Sequence, residues 1–595
     1  MSTIDPRLKC LQQETQEALT ELETTGRFGI SVSEVANPKV RVLLQYTGSL
    51  TDIEQTGFET YTVAGDVASG EVELSKVEDI AALPNVIKIE SSHPMVSELD
   101  NSISEIGADV VQTGPPGYRG SGVIIGIIDS GIDFTHESFR SAVGGSRILA
   151  IWDQSLIPIG SESSPSGFTY GVEYTKANID AALASTDPSS VVRHVDGDPL
   201  TGHGTHVTGI AAGDGSVAGN GQPAFTYVGV APEADIIVVA NRVTTRAIGE
   251  STNSLDAVNY IFKQAASLGK PVVINQSQGD NIGPHDGTSL LEQGIDNLLG
   301  GPGNAMIKSA GNEGNNGRHA IGSVTAGGSE TVRFIVDPID GSPNIIDIWY
   351  SGTDRFSISI TPPGGAASTV VNPGTTTTLN LPNGNRVFVA SVLNDPNNND
   401  NRIYLQQERG ASFSIQQGTW AFTLIGTTVV NGRFDAWIER GDPNFTPEFL
   451  PPHRNDSRTI SIPGTSSEII AVGSYITGGA GVGNISSFSS RGPTRDGRQK
   501  PDIAAPGQFI TSARAPEIVN GTGKYHAIAG TSMAAPHVAG VVALMLQKNN
   551  NLTQKEIRDC LINNGRSDAF TGTVPNFTWG AGKLDANAAI NCVSS

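Results

Sequence analysis

The sequence predicts an α/β protein in which helices flank a parallel sheet. Residues 123–128 and 272–275 are almost entirely apolar, as in strands that are buried on both faces of such a sheet. Between residues 331 and 439 the pattern changes to short segments of alternating apolar and polar residues, separated by Pro, Gly and Asn turns. Such segments are typical of an antiparallel β-sandwich of the jelly-roll kind. A small α+β unit is predicted before residue 100.

The N-terminal unit is predicted from a few short elements. We expect strands at residues 40–46, 70–74 and 85–90, and a short helix at residues 76–83. The residues up to Leu22 have the pattern of a polar amphipathic helix. The predicted division of the chain is an N-terminal unit at 1–100, an α/β domain in two parts at 101–315 and 458–595, and an inserted β-sandwich at 316–457.

The insertion has the strand pattern of an independent module. Its predicted strands are residues 331–336, 345–350, 356–361, 378–381, 387–393, 403–406, 420–425 and 434–439. The module could bind a carbohydrate or a partner protein. A brace for the α/β domain is the favoured interpretation, because a fold alone does not imply a function.

The composition is that of a large acidic protein. The chain has 595 residues and a formal net charge of −22, and several domains are expected from this length. Nucleic acids and anionic membranes attract basic patches, so the acidic balance argues against either as a partner. The acidity by itself indicates no more than solubility.

The cysteines and the N-terminus bear on stability and location. Cys10, Cys560 and Cys592 are too few for a disulfide framework and leave at least one thiol unpaired. We therefore expect no stabilisation by disulfides, with Cys560 as a small core residue of an amphipathic helix at residues 555–563. The N-terminus lacks the apolar stretch of a secretory signal, and no segment reaches the roughly 18 apolar residues of a membrane span. A cytoplasmic location is the resulting expectation.

Three polar residues lie where a parallel sheet places its reactive groups. Asp129 follows the buried strand at residues 123–128, His203 begins a helix of small residues, and Ser532 lies in the segment GTSMAAPH at residues 530–537. Active groups of open α/β sheets gather at the carboxyl ends of the strands. A carboxylate that orients an imidazole, which in turn takes the proton of a serine, makes that serine a nucleophile.

Each of these residues also has a plainer interpretation. An Asp after a strand is often a cap or turn residue, a single His is usually structural, and a Ser beside Gly often satisfies backbone groups. Only the combination, in the chain order Asp, His, Ser, indicates catalysis. His206 and His537 lie in the same segments and are interpreted as packing or hydrogen-bonding residues.

The segments around Asp129, His203 and Ser532 resemble the three signature blocks of the subtilisin-like serine peptidases, the subtilases. A fourth segment, SAGNEG at residues 309–314, resembles the block whose asparagine, here Asn312, donates to the oxyanion. The resemblance implies a subtilisin-like fold. It also implies an endopeptidase that acts on polypeptides through an acyl-enzyme, with the Ser532 amide as a second oxyanion donor and with no required cofactor.

The resemblance extends to substrate-binding residues. Ser277, Gln278 and Gly279 resemble the segment whose backbone pairs with an extended substrate and walls the main specificity pocket, and Gly311 lies in the oxyanion block. Subtilases often have an apolar residue in place of Gln278. The side-chain preference therefore stays open, with a large apolar or aromatic residue before the scissile bond as the default.

Residues 87–94 resemble the end of a subtilase prodomain, which acts as an intramolecular chaperone and inhibitor. A folding chaperone is useful here because parallel sheets with distant strand pairings nucleate slowly. Self-cleavage is then expected between about Ser91 and Asn101. The alternative is an N-terminal domain that is retained and used only for packing. Most subtilases are secreted, so export by another route stays open.

Two further features concern the subgroup and metals. The insertion and the segment ILAIWDQ at residues 148–154 resemble the subtilase group that includes the spore-germination proteases of clostridia. The family's high-affinity calcium site uses an aspartate where Ser138 stands, so that site is expected to be absent. Structural calcium elsewhere stays open but is not identifiable. Since no Cys/His cluster has zinc-ligand spacing, no metal site is predicted.

Two other functions stay open beside hydrolysis. A catalytically silent scaffold or receptor could keep the fold, but such a chain should have lost one of the residues that are present here: Asp129, His203, Asn312 and Ser532. A peptide ligase or macrocyclase would resolve the acyl-enzyme with an amine instead of water. The sequence shows no extra helical lid near Ser532 that would shield the intermediate.

Overall fold

The computed structural model describes residues 3–4, 8, 12, 30–31, 38–91, 102–141, 144–241, 250–439, 446–516 and 523–594. Contacts divide the chain into two compact units, Met1–Ser97 and Glu98–Ser595. The predicted amphipathic helix up to Leu22 falls almost entirely outside the described residues. The expected cleavage segment after Ser91 lies outside them as well.

The first unit is a small α+β structure around one sheet. Its elements are β1 (Thr3–Ile4), β2 (Ile30–Ser31), β3 (Lys39–Tyr46), α1 (Thr51–Gln55), β4 (Glu59–Ala64), β5 (Val67–Glu73), α2 (Val77–Ala81) and β6 (Val86–Ser91). The strand order is β1-β6-β3-β5-β4, with β2 paired to β3. Val40, Val42 and Leu44 of β3 share one core with Ile53 of α1 and Ile80 of α2, as expected for a half-buried strand. The predicted strands and helix are present, whereas α1, β1, β2 and β4 were not predicted.

The α/β domain is built on an eight-stranded sheet. Its first part contains α3 (Ser102–Glu105), α4 (Ala108–Thr113), β7 (Ile124–Asp129), β8 (Ile148–Asp153), β9 (Val172–Thr175), α5 (Lys176–Ala184), α6 (His203–Ala212), β10 (Asp235–Ala240), α7 (Ser251–Leu268), β11 (Val272–Gln276), α8 (Leu290–Leu298) and β12 (Asn304–Ser309). The chain then enters the insertion and returns to the sheet afterwards.

The inserted sandwich has two antiparallel sheets. Its strands are β13 (His319–Ser323), β14 (Ser329–Val336), β15 (Asn344–Tyr350), β16 (Arg355–Thr361), β17 (Thr376–Asn380), β18 (Arg386–Val392), β19 (Asn401–Glu408), β20 (Gly418–Thr428), β21 (Arg433–Ile438) and β22 (Glu448–Phe449). The strand orders are β13-β21-β15-β19-β18-β17 and β16-β20-β14-β22. Every predicted strand of the insertion is present, and β13 and β22 were not predicted.

The second part of the α/β domain completes the sheet and supplies its central helix. It contains β23 (Ile470–Ile476), β24 (Ile503–Gln508), β25 (Ile510–Ala513), β26 (Tyr525–Ile528), α9 (Thr531–Lys548), α10 (Gln554–Asn563) and α11 (Ala586–Cys592). The strand order is β24-β23-β12-β11-β7-β10-β8-β9, and only the pair β8 and β9 is antiparallel. Helix α9 is buried on all sides, which explains its apolar composition. None of the helices in the described part of the chain is long and apolar enough to cross a membrane.

Charged and aromatic contacts join the sandwich to the α/β domain. Arg495 of the α/β domain donates to Asp400 of the insertion at 2.6 Å, and its guanidinium lies 5.5 Å from the ring centre of Trp349. The rings of His285 and Trp437 stack with their centres 4.1 Å apart. The insertion therefore contacts the α/β domain through buried and partly buried side chains.

The expectation of a protein without disulfides is wrong. Cys560 of α10 is bonded to Cys592 of α11, with a sequence separation of 32. Cys560 is buried in an amphipathic helix as predicted. The pairing could not be read from the number of cysteines, because it depends on α10 and α11 meeting in the folded domain.

Candidate active site

Asp129 and His203 meet at one edge of the sheet. Asp129 is the buried last residue of β7, and His203 is the first residue of α6. His203 Nδ1 lies 2.7 Å from Asp129 Oδ1, so its N–H donates to the carboxylate and the imidazole is held in one tautomer. The same oxygen accepts from Ser130 N at 2.7 Å. Helix α6 can approach this closely because residue 204 is glycine: a Cβ on Gly204 would lie 2.1 Å from Gly131 O.

A second buried carboxylate, Asp196, joins the start of α6 to the loop after Asp129. Its Oδ1 accepts from Ser130 Oγ at 2.7 Å. Its Oδ2 accepts from Thr205 N at 2.8 Å and from Thr205 Oγ1 at 2.6 Å, and a negative charge at a helix N-terminus is favourable. Sequence reasoning missed Asp196, because nothing local distinguishes it from the neighbouring Asp198.

The charges around His203 favour its protonated form. Burial lowers the pKa of His203, but the attraction of Asp129, Asp196 and Asp198 outweighs burial, so the pKa lies above its usual value. A general base has to keep the proton that it takes from a hydroxyl until the proton is passed on. The three carboxylates raise the pKa of His203, so that it can hold the proton until it passes it on.

Ser532 lies in the first turn of α9, close to the end of β11. Its hydroxyl donates to Ser277 O at 3.2 Å, and Ser277 Oγ donates to Ser532 O at 3.0 Å. The second bond compensates for Pro536, which has no N–H to donate to the carbonyl four residues earlier. Among the hydrogen bonds of the described residues, none joins Ser532 to His203. Catalytic hydrogen bonds often tighten only when substrate is bound.

Asn312 faces the start of α9. Its Oδ1 accepts from Thr531 N at 3.0 Å and from Thr531 Oγ1 at 2.9 Å. These bonds identify the oxygen end of the amide, and the nitrogen end lies toward Gly530. A Cβ on Gly530 would be 3.4 Å from Asn312 Nδ2 and 3.6 Å from Ser532 N. Two N–H donors thus flank one point beside Ser532, which suits an oxyanion.

The predicted substrate-binding residues flank the same turn. Gly311 N donates to Thr531 Oγ1 at 3.1 Å. Gln278 is 8% exposed; its Oε1 accepts from Asn241 Nδ2 at 3.3 Å, while its Nε2 has no hydrogen-bond partner among the described residues. Gly279 follows directly and is partly exposed. Ser277 and Gly311 therefore each form hydrogen bonds with the first residues of α9.

His206 and His537, which we interpret as packing or hydrogen-bonding residues, are buried and hydrogen-bonded. His206 Nε2 lies 2.9 Å from Ile510 O, and His537 Nδ1 lies 2.8 Å from Met533 O. Both side chains are 0% exposed. Neither is in a position to contact a substrate.

Metal binding has no visible site in the part of the chain that is described. No group of three or more His, Cys, Asp or Glu residues there could hold a metal ion. Ser138 is buried with its Oγ 3.3 Å from the hydroxyl of Tyr525. The expected absence of the family's calcium site stays a prediction.

Comparison with known proteins gives a family and several relatives. The model of the subtilase family matches residues 120–414 and 356–582. Serine protease AprX of Bacillus subtilis (strain 168) is 40% identical over 146 residues, which are 23% of this chain and 32% of AprX. The PI-type proteinase of Lactococcus lactis subsp. cremoris is 25% identical over 549 residues, which are 84% of this chain and 26% of that proteinase. The chain therefore spans a minor part of the length of these two relatives.

A solved structure supports the fold over most of the chain. The CspB protease of Clostridium perfringens is 27% identical in sequence with a TM-score of 0.71, and the match covers 83% of this chain and 99% of that chain. This likeness is consistent with the predicted clostridial subgroup and confirms the subtilisin-like α/β fold. Since the family model spans the sheet and the segments of Asp129, His203, Asn312 and Ser532, the chain belongs to the subtilase family of serine peptidases.

Proposed function

We propose that this protein is a serine endopeptidase that hydrolyses peptide bonds through an acyl-enzyme. The observation that supports the proposal best is the 2.7 Å contact between His203 Nδ1 and Asp129 Oδ1, with Ser532 at the start of α9 on the same edge of the sheet. Ser532 Oγ attacks the substrate carbonyl while His203 takes its proton, and His203 then gives this proton to the leaving amine. Water resolves the acyl-enzyme with His203 again as the base.

We assign the stabilisation of the negative charge on the carbonyl oxygen to two hydrogen-bond donors. Asn312 Nδ2 and Ser532 N flank one point at the N-terminus of α9, where the helix dipole also favours negative charge. Before it attacks, the Ser532 hydroxyl has to break its hydrogen bond to Ser277 O. One such hydrogen bond contributes about 1 kcal/mol net, which is small beside the barrier to peptide hydrolysis.

The proposal is tested with wild type and Ser532→Ala on a reduced and alkylated protein substrate. Wild type should produce internal fragments and Ser532→Ala should not. An added amine distinguishes a ligase, because transfer would give products whose mass includes the amine. A wild type that is inert under all conditions supports the silent scaffold or receptor.

We also propose that the N-terminal unit is an intramolecular inhibitor and chaperone that the enzyme removes itself. The support is its compact α+β fold and the family-like sequence before Ser91. Intact mass should show loss of about one hundred residues in wild type only. If wild type stays whole and inert, a trace of external protease separates a latent zymogen, which becomes active, from a scaffold, which does not.

Location and the role of the insertion are further proposals. The Cys560–Cys592 disulfide favours an oxidising compartment, which weighs against the cytoplasmic expectation, so we favour export. The buried and partly buried contacts of Arg495 and Trp437 favour bracing as the role of the sandwich. Polypeptides are the proposed substrates.

A further inference from the structure

A second pair of aspartate and histidine lies beside the loop that follows Asp129. Asp153 is the last residue of β8, and His194 lies between α5 and α6. His194 Nδ1 is 2.7 Å from Asp153 Oδ2. His194 is 1% exposed and Asp153 is 5% exposed. The proposed mechanism does not use this buried pair, so its role has to be found in what it contacts.

The contacts of the pair fix the tautomer of His194. Asp153 Oδ1 accepts from Ser155 N at 3.0 Å and from Ser155 Oγ at 2.6 Å, while Oδ2 accepts from His194. Burial raises the pKa of Asp153, but the hydrogen bonds from His194 and Ser155 outweigh burial and hold this pKa below its usual value. The N–H of His194 is therefore on Nδ1, and its Nε2 accepts from Ile132 N at 3.0 Å. Only a neutral imidazole with its proton on Nδ1 makes both contacts.

The loop that His194 binds also orients the carboxylate of Asp129. Ser130 N donates to Asp129 Oδ1 at 2.7 Å, and Ser130 Oγ lies 3.2 Å from the same oxygen. Ile132, which donates to His194, follows two residues after Ser130 and is 0% exposed. A displacement of Ile132 N would therefore move the groups that set the angle at which Asp129 meets His203.

The ring of His194 packs directly against Gly131. A Cβ on Gly131 would lie 2.8 Å from His194 Cε1 and 3.0 Å from His194 Nε2, so the glycine leaves the space that the ring occupies. The carbonyl oxygen of Gly131 faces Gly204, where a Cβ would lie 2.1 Å away. Gly204 directly follows His203. A single glycine therefore separates the ring of His194 from the start of α6.

We propose that His194 is a positioning residue, which holds the loop after Asp129 and so keeps Asp129 aligned with His203. This inference rests on the proposed function of Ser532. Asp153 keeps the proton of His194 on Nδ1, because a proton on Nε2 would point at the backbone N–H that now donates to this nitrogen. His194 itself transfers no proton. Alignment of this kind matters for rate, since a misplacement of about 1 Å can lower a rate about 100-fold.

Three variants separate the two hydrogen bonds of His194. His194→Asn keeps a donor for Asp153 but loses the acceptor for Ile132 N, whereas His194→Gln can place its Oε1 where Nε2 lies and keep that acceptor. In Asp153→Asn the oxygen stays with Ser155, so the amide turns its Nδ2 toward His194 and forces the proton onto Nε2. We expect kcat on one peptide to fall by about tenfold or more in His194→Asn and Asp153→Asn, with KM nearly unchanged, and to stay closer to wild type in His194→Gln.

The pH profile of kcat/KM gives a second readout, because its acid limb reports the pKa of His203. The titratable groups that interact with His203 come from β7, from the segment before α6 and from α6 itself: Asp129, Asp196, Asp198 and His206. The acid limb should move to lower pH in His194→Asn, because a misaligned Asp129 attracts the imidazolium less. A role in stability alone would lower Tm and leave the acid limb in place.

The matched control is His453→Asn. His453 is a buried histidine of the insertion, and its Nε2 lies 2.8 Å from Glu330 Oε1. The control removes a second contact between a histidine and a carboxylate, and it should keep both kcat and the acid limb of wild type.

The outcomes separate the positioning role from the catalytic proposal. Hydrolysis that depends on Ser532, with wild-type kcat and acid limb in folded His194→Asn, would overturn the positioning role and leave the proposed function standing. Equal losses in His194→Asn and His194→Gln would do the same. If the variants do not fold, nitrogen NMR of wild type labelled at histidine decides: an Nδ1–H tautomer of His194 supports the proposal, and an Nε2–H tautomer overturns it. Absence of any Ser532-dependent cleavage would overturn the proposed function and the positioning role with it.

Discussion

Replacing Asn312 by Asp tests the role of a single N–H donor, and Asn312→Ala removes the same donor without adding a charge. Asn312 Oδ1 accepts from Thr531 N and Thr531 Oγ1 at 3.0 and 2.9 Å, and an aspartate keeps both acceptor contacts while it removes the Nδ2 donor. Loss of one such donor from subtilisin, a member of the same family, costs about 3–4 kcal/mol, and we take that value for Asn312. We expect kcat to fall by about 10²–10³ while KM changes little, because the donor acts in the transition state.

The measurement is steady-state hydrolysis of one peptide by wild type, Asn312→Asp and Asn312→Ala. Asn316→Ala is the matched control, because it deletes a nearby amide whose Nδ2 donates to Asn312 O at 3.4 Å and leaves Asn312 Nδ2 in place. The control should retain nearly wild-type kcat. A folded Asn312→Asp enzyme with a kcat within about threefold of wild type would refute the oxyanion assignment.

Three further outcomes follow from the structure. Asp196→Asn removes a carboxylate that raises the pKa of His203, so the acid limb of the pH profile of kcat/KM should move to lower pH. An acid limb at the same pH as in wild type would contradict this expectation. Burial lowers the pKa of His285 and of His537 to about 4. Since the unfolded chain takes up these protons near pH 6.5, unfolding free energy should fall by about 2 kcal/mol per histidine between pH 7 and pH 5 in urea titrations, and a flat profile contradicts it. Reduction of the Cys560–Cys592 disulfide should lower Tm, since the cross-link contributes about 3–4 kcal/mol to stability. A Tm that is the same with and without reductant would contradict this expectation.

The secondary structure could be predicted where local pattern and burial agree. β7 and β11 are apolar because both faces of the sheet are covered, and the sandwich strands alternate because one face of each is buried. β4 was not predicted, although Tyr61 and Val63 alternate with threonines in its sequence; both side chains are more than half exposed, at 52% and 53%, so this strand adds little to the core. α1 was missed because it is short and only Ile53 in it is buried, so its sequence shows no apolar periodicity.

The candidate site could be predicted in part. Asp129, His203 and Ser532 each lie in a short segment with a recognisable sequence, and the contact between Asp129 and His203 follows from the edge of the sheet where both lie. Asp196 was missed because nothing local marks it and its partners, Ser130 and Thr205, come from a strand end and a helix start elsewhere in the sequence.

The central claim is that Ser532 becomes a nucleophile when His203 takes its proton. Its most direct test is reaction with an alkyl fluorophosphonate, followed by intact mass and peptide mapping. We predict one adduct on Ser532 in wild type, no adduct in Ser532→Ala, and much slower labelling of His203→Ala. An unlabelled but folded and processed wild type, an adduct on another residue, or equal labelling rates in wild type and His203→Ala would contradict the account.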